Sequence, residues 1–419
     1  MIQLIRGFKD ILPGEVELWQ RIENTAVELF HDFGFDEIRI PIMERTELFA
    51  RSIGEHTDIV EKEMYTFPDR KGDLLTLRPE ATASVARSYI QHRMFAQDPV
   101  RKLYTIGPMF RRERPQKGRY RQFYQINAEI FGVTSARVDA QLIVYLTTLM
   151  DRLKVGDVAV HLNSLGCPQC RPAFREALLN FLRERKENLC ADCVRRMEKN
   201  PLRALDCKVP TCQEATEGAP ALLDHLGEEC QDHFRVLTDS LEALEVPYVI
   251  NPRLVRGLDY YTRTTFEVLT GSLGAQSAVA GGGRYDGLVE LLGGPEIPAI
   301  GFAIGLDRLA ELVGIQAEEV QNRPDLFIAA LGESCQAQAF QWLTELGRAG
   351  LRTEMDFEDR SLKSQMKRAD RLGARNVLIF GENEEKAGEA MLRNMATKAQ
   401  EGVPVENLVS RLAERLGKP

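Results

Sequence analysis

No run of roughly 18 apolar residues occurs anywhere in the chain, so a transmembrane helix is not expected. Positive charge is not in excess either: 54 Lys and Arg face 62 Asp and Glu, a formal net charge of −8 at pH 7. That balance excludes a globally basic nucleic-acid coat and leaves room only for a local basic patch. Internal repeats and low-complexity segments are absent. The opening segment MIQLIRGFKDILPGE has no apolar core of a secretory signal, because Arg6, Lys9, Asp10 and Glu15 interrupt it. Cysteine is scarce outside one stretch, and eight in a chain of this length do not make a small secreted disulfide scaffold. A soluble, cytoplasmic protein is expected, with no membrane partner.

What is present fits a folded, multidomain chain. Its 419 residues suggest two to four domains, and 44% hydrophobic with 28% charged residues excludes wholesale disorder, collagen-like and coiled-coil chains. The polar stretch Ala317–Pro324 (AEEVQNRP) reads as a boundary. After it, a strand at Asp325–Leu331, a helix at Cys335–Leu346 and a strand at Asn376–Phe380 describe an α/β module. Before it, helices are expected at Val16–Phe33 and Gly305–Val313. Strands are expected at Glu37–Ile42, Leu74–Arg78, Lys102–Phe110, Phe123–Val133, Tyr261–Leu269 and Ala299–Ile304. A helical, cysteine-bearing stretch, about Gly166–Phe234, looks inserted between two strand-rich halves.

Between the third and fourth of these strands runs RRERPQKGRYR, with six basic residues and one acid from Arg111 to Arg121. Arginine forks match phosphate oxygens bidentately, so this loop suits phosphate or nucleic acid, although a basic hairpin is also an ordinary solvated loop. The following strand adds chemistry. Alternation puts Phe123, Gln125, Asn127, Glu129 and Phe131 on one face, and Tyr124, Ile126, Ala128 and Ile130 on the other. The neighbouring strand offers Thr105, Gly107 and Met109 on the face that ends in Arg111, the composition of a lined pocket.

These residues match a family. GPMFRRERPQKGRYRQFYQINAEIFG resembles motif 2 of class II aminoacyl-tRNA synthetases, GFAIGLDRL resembles motif 3, and FGFDEIRIPIMERTELF resembles the dimer-forming motif 1. LVRGLDYYTRTTFE and AVAGGGRYDGL resemble the signature sequences of histidyl-tRNA synthetases. The resemblance implies an α+β fold: a class II catalytic core, residues 1–321, with an antiparallel sheet flanked by helices and a helical insertion near 166–234. A C-terminal α/β anticodon-binding domain over 325–419 completes it.

It also implies an activity. Histidine and ATP give histidyl-adenylate, and the histidyl group passes to the 3′ end of tRNA(His), with Mg2+ accompanying ATP and a homodimer as the working unit. Such phosphoryl chemistry needs positioning and positive charge more than covalent help. By resemblance, Arg256 and Arg111 are the catalytic arginines, and ATP meets Arg111, Glu113, Phe123, Arg256 and Arg308, with adenine between Phe123 and Arg308. The histidine ring lies between Glu129 and Tyr261, an acceptor facing a donor for its two nitrogens. Glu80, Ala81, Thr82 and Gln125 serve the α-amino group. The triple glycine Gly281–Gly283 brings backbone close to a ligand and Tyr285 closes the pocket; Tyr260 is a further candidate for binding histidine, although expected on the opposite strand face. Pro79 and Glu80 equally suit a helix N-terminus.

For tRNA, the resemblance points to the hairpin tip Arg114, Gln116, Lys117 and Arg119. In the C-terminal module, Arg360, Lys363, Lys367, Arg371 and Arg375 recur at spacings of three and four and form one basic stripe if helical. Lys363 and Lys367 are its candidate contacts, the alternative being a solvated face.

Seven cysteines fall between Cys167 and Cys230. Cys167-x2-Cys170 and Cys190-x2-Cys193 fit a tetrahedral zinc template on spacing, and Cys207, Cys212 and Cys230 follow. Zinc, reduced buried thiols and redox pairing all remain open, and no metal ligand is assigned. Two rival functions also stand. One is a non-catalytic paralogue acting as regulatory subunit of ATP phosphoribosyltransferase; the other is a class II synthetase of another specificity.

Overall fold

The computed structural model describes residues 1–417 except 55, 56, 58, 117, 256, 257, 259, 272–277, 315–321 and 359. Arg256 and Lys117, both expected to act, therefore lie outside the described residues. Two compact units divide the chain, Met1–Val320 and Gln321–Pro419. No described helix is long and apolar enough to cross a membrane.

The first unit is built on an eight-stranded sheet. In spatial order it contains β1 (Asp36–Glu37), β5 (Arg101–Phe110), β6 (Gln122–Phe131), β11 (Ala299–Gly305), β10 (Ala278–Arg284), β9 (Thr262–Thr270), β7 (Val158–Ser164) and β8 (Tyr248–Ile250). Its interior is antiparallel, while both edge pairs, β1 with β5 and β7 with β8, run parallel. One face is covered by helices Val16–Asp32, Ala136–Arg152 and Glu228–Ala243, which set Ile22, Leu29, Phe30, Leu146 and Leu237 against Ile126, Ala128, Ile300 and Phe302. The strand alternation read from the sequence of β6 holds, with Ile126, Ala128 and Ile130 in this core and the polar set on the other face.

The strand expected over Glu37–Ile42 is interrupted. β1 stops at Glu37, and pairing resumes in β2 (Met43–Arg45), part of a small sheet with β4 (Leu74–Leu77) and β3 (Tyr65–Pro68). Between them Pro41 has no N–H to give a ladder. The buried guanidinium of Arg78 takes the carbonyls of Ile40 and Pro41 at 2.9 and 3.3 Å, and that of Pro108 at 2.9 Å.

The triple glycine lies within the sheet. Gly281–Gly283 are strand residues of β10, paired with β9 and β11. A Cβ on Gly282 would stand 2.2 Å from the Gly301 carbonyl oxygen and 2.7 Å from the Phe266 ring, so the sheet closes there only without side chains. Immediately after, Arg284 is fully buried. Its Nε lies 3.0 Å from both oxygens of Asp139, its Nη1 and Nη2 donate to the Val133 and Ser135 carbonyls at 3.0 Å, and His233 Nε2 contacts Asp139 at 2.9 Å. This network joins β10 to helices Ala136–Arg152 and Glu228–Ala243.

Between β7 and β8 lies the cysteine-bearing helical stretch, including helices Arg171–Glu184, Ala191–Met197 and Pro210–Ala215. The spacing template is not how the thiols assemble. Cys190 and Cys193 gather with Cys207 and Cys212, while Cys167 and Cys170 gather with Cys230.

The second unit is a five-stranded sheet, β13 (Thr353–Met355), β12 (Leu326–Ala330), β14 (Asn376–Phe380), β15 (Glu389–Asn394) and β16 (Gln400–Pro404). Its helices Glu333–Arg348 and Leu408–Leu416 bury Trp342, Leu346 and Leu412. Helix Leu362–Arg371 is shorter than the expected stripe. Arg360 precedes it and pairs with Glu358, and Arg375 follows it and pairs with Asp325 at 3.2 Å. Lys363, Lys367 and Arg371 remain on the exposed face of the helix.

Candidate active site

The polar face of β6 opens opposite the covering helices. Register flanks Gln125 with Gly107 and Gly305 and sets Glu129 between Leu103 and Gly301, so on the β11 side the carboxylate lies against bare backbone. A Cβ at Gly301 would sit 1.7 Å from Glu129 Oε2.

Glu129 is buried and doubly bonded: Thr82 Oγ1 donates to its Oε1 at 2.7 Å, and the Tyr285 hydroxyl donates to Oε2. Burial raises its pKa to about 8 despite those two donors, with the Glu80 carboxylate adding a smaller upward push. Tyr285 and Tyr260, both buried, are held well above the usual phenol range, chiefly by desolvation. Tyr260 does not point away as expected. The chain from Tyr260 to Tyr261 precedes β9 rather than forming part of it, and the Tyr260 ring packs 4.8 Å from Tyr261 and 5.5 Å from Tyr285. Its hydroxyl interacts with Thr82, Glu80 and Glu129.

Glu80 and Thr82 come from the start of helix Thr82–Gln91. Glu80 Oε1 accepts from the Ala83 N–H at 3.0 Å, the helix-start role read from the sequence. Its Oε2 has no partner, and neither do Gln125 Oε1 and Asn127 Nδ2, although all three atoms are buried. Buried polar atoms are normally satisfied, so three orphans beside one carboxylate mark a space shaped for a polar ligand. Burial also raises the Glu80 pKa.

Next to them is a cavity of about 200 Å3 lined by Arg111, Glu113, Phe123, Gln125, Gly281 and Arg308, with Gly118, Tyr120 and Asp307 among its other walls. Arg111 donates from Nε to the Pro79 carbonyl at 2.9 Å and places its guanidinium 5.3 Å from the Phe123 ring centre. Arg308, in the first turn of helix Leu306–Leu312, donates to the Ala278 carbonyl at 2.8 Å and to that of Gly118 at 3.4 Å. Burial lowers its pKa. Arg119, expected at the hairpin tip, pairs with Glu113 at 2.9 Å, whereas Arg114 and Gln116 are exposed. Asp307 was not singled out from the sequence; its carboxylate accepts the Tyr124 N–H at 2.8 Å and so ties the helix start to β6. Its signal is only its place in GLDRL, one residue before Arg308.

On its other side Tyr261 borders a second cavity, of about 220 Å3, whose wall includes Phe174, Lys199 and Arg203 of the cysteine-bearing stretch and Leu258.

The family model described as histidyl-tRNA synthetase matches residues 7–309, and one described as anticodon binding domain matches residues 325–415. The chain belongs to the histidyl-tRNA synthetase family. Within that family it is 62% identical to a histidine–tRNA ligase of Desulfatibacillum aliphaticivorans over 413 residues, 99% of each chain. It is 60% identical to the histidine–tRNA ligase of Desulforapulum autotrophicum, covering 97% of this chain and 96% of that one. The crystal structure of apo S. aureus histidyl-tRNA synthetase superposes with a TM-score of 0.83 at 36% identity, covering 99% of this chain and 100% of that one. Full-length similarity of this degree to ligases of one specificity favours the ligase over both the regulatory paralogue and a synthetase of another specificity.

Proposed function

We propose that this chain activates L-histidine with ATP to histidyl-adenylate and transfers the histidyl group to the 3′ end of tRNA(His), using the polar face of β6 as its floor. The observation that carries the reading is Glu129, a buried carboxyl held by Thr82 and Tyr285 next to three unpartnered polar atoms and an arginine-lined cavity.

A neutral imidazole offers one N–H and one bare nitrogen. Glu129 answers one and the Tyr261 hydroxyl the other. Burial raises the Glu129 pKa to about 8, close to the range in which imidazole itself titrates, so carboxyl and ring can share one proton. An amino acid without these nitrogens leaves the buried carboxyl unmatched, which is the physical basis of selection. The α-ammonium group suits Glu80 Oε2 and Gln125 Oε1, atoms that lack a donor, with Ala81 and Thr82 bounding them.

The histidine carboxylate then attacks the α-phosphorus of ATP, with pyrophosphate leaving. Adenine fits between Phe123 and Arg308, where aromatic and guanidinium faces stack. Arg111 positions phosphate oxygens, and Arg256 is assigned to the α-phosphate by its motif alone. Mg2+ accompanying ATP would supply positive charge at the phosphates, and Glu113, a carboxylate of this cavity, would be the residue to hold it.

Arg114, Gln116, Lys117 and Arg119 at the hairpin, and Lys363 and Lys367 in the second unit, are assigned to tRNA. The domain reading is a catalytic domain over 1–321 with its insertion, and an anticodon-binding domain over 325–419. A homodimer is supported by the motif 1 segment and by Ile42, Met43, Phe67 and Leu74, large apolar side chains exposed around the small sheet. A cytoplasmic location goes with this function.

Histidine-dependent exchange of pyrophosphate into ATP, followed by charging of tRNA(His), tests the reading. Exchange with histidine alone among the amino acids is expected. Exchange with a different amino acid, or none, overturns it.

A further inference from the structure

We propose that Cys190, Cys193, Cys207 and Cys212 form a structural zinc site in the helical stretch between β7 and β8. Sequence spacing pairs Cys190 and Cys193 with Cys167 and Cys170, but the fold separates those pairs and brings a different four together. The four sulfurs all lie within 4.8 Å of one another, and Cys190 Sγ is 3.9 Å from Cys207 Sγ.

Geometry decides what such a cluster suits. With zinc–sulfur bonds of about 2.3 Å, a tetrahedron has sulfur–sulfur edges of about 3.8 Å. Four mutually close sulfurs are therefore nearly preformed for one tetrahedral ion. A soft, four-thiolate, closed set selects zinc among common biological metals, with no open position for catalysis.

The surroundings agree. The ligands come as two short pairs, Cys190-x2-Cys193 at the start of helix Ala191–Met197 and Cys207-x4-Cys212 running into helix Pro210–Ala215. The backbone N–H of Cys190 donates to Cys212 Sγ at 3.0 Å, an outer-shell bond that orients a ligand and offsets thiolate charge. Cys193 and Cys212 are buried. Leu189, Met197 and Ala204 pack beside the cysteines as part of the buried cluster that this stretch shares with the rest of the domain. The segment between the pairs carries Lys199 and Arg203 to the cavity beside Tyr261, so the ion would fix the outer wall of that cavity and leave the chemistry to β6.

Elemental analysis of full-length protein, purified without chelator from zinc-replete cells, is expected to give one zinc per chain. Zinc should disappear in the double variant Cys193→Ser/Cys212→Ser and persist in Cys170→Ser. Since the double variant can misfold, the wild-type protein provides an independent arm. Replacing its metal with Co2+ should give the thiolate charge-transfer band and intense visible absorption of a tetrahedral tetrathiolate. Removing the metal should lower the melting temperature and free four further thiols for alkylation. No metal, iron in place of zinc, disulfides among the four, or zinc lost from Cys170→Ser and kept in the double variant would each overturn the site.

Discussion

The hydroxyl of Tyr285 donates to Oε2 of Glu129, joining the residue that follows β10 to the last third of β6 across β11, with both side chains sealed from water. Two residues 156 positions apart thus define the deepest wall of the candidate histidine pocket.

The titration of Glu129 has a readable sign. Folded, it keeps its proton to about pH 8, against a usual value of 4.5. Between those values the native state binds a proton that the unfolded chain has released, so stability falls as pH rises, by at most about 1.4 kcal/mol per unit, and levels above the folded pKa. Glu129→Gln removes this dependence. Urea titrations across the window should show the variant gaining on the wild type as pH rises; a constant difference would mean that Glu129 titrates normally.

Gly301→Ala puts a methyl group where Glu129 Oε2 now lies. Displacing a substrate-positioning group by about 1 Å costs up to roughly 100-fold. The KM for histidine should rise strongly in pyrophosphate exchange while the KM for ATP changes little. Equal losses in both would point to general disruption of the sheet.

Phe123→Ala removes the proposed adenine platform and the ring beneath Arg111. Base–aromatic stacking contributes about 1–3 kcal/mol, so the KM for ATP should rise roughly fivefold or more. The KM for histidine is the control, and a selective rise in that parameter would argue against the assignment.

Arg284→Ala strands the Asp139 carboxylate, which is fully buried. Breaking such a pair costs about 3–5 kcal/mol. Chemical denaturation should show a loss of that order. A change below about 1 kcal/mol would show that helix Ala136–Arg152 is held by packing alone.

Lys363→Ala/Lys367→Ala should weaken tRNA(His) binding and reduce the slope of log affinity against log salt by about one per lysine. Pyrophosphate exchange should be unchanged, since it needs no tRNA. An unaltered salt slope would make this helix face an ordinary solvated surface.

Much of this architecture was legible because the two faces of β6 differ so sharply: Ile126, Ala128 and Ile130 against Gln125, Asn127 and Glu129. β10 was not, since AVAGGGR has little strand propensity and pairs only because its neighbours require bare backbone. The interruption at Pro41 depended on Arg78, 37 residues away, reaching its carbonyl. The basic stripe was read too long because spacing carries no information about where a helix ends, and Arg360 and Arg375 found acids on neighbouring segments. Cysteine spacing likewise named the right residue type and the wrong partners, because which pairs meet is decided by helices that fold between them. Tyr260 was assigned to the opposite face by an alternation that does not start until Thr262.

Arg284 and Tyr285 share a peptide bond but serve opposite sides of the sheet, one anchored to Asp139 and the other to Glu129. A slip of one position in this strand would drive a guanidinium towards the amino-acid pocket and a phenol towards an isolated carboxylate, two faults from a single error. Misaligned folding intermediates are thereby penalised twice, and the same dipeptide that completes the pocket also proofreads the assembly of the sheet beneath it.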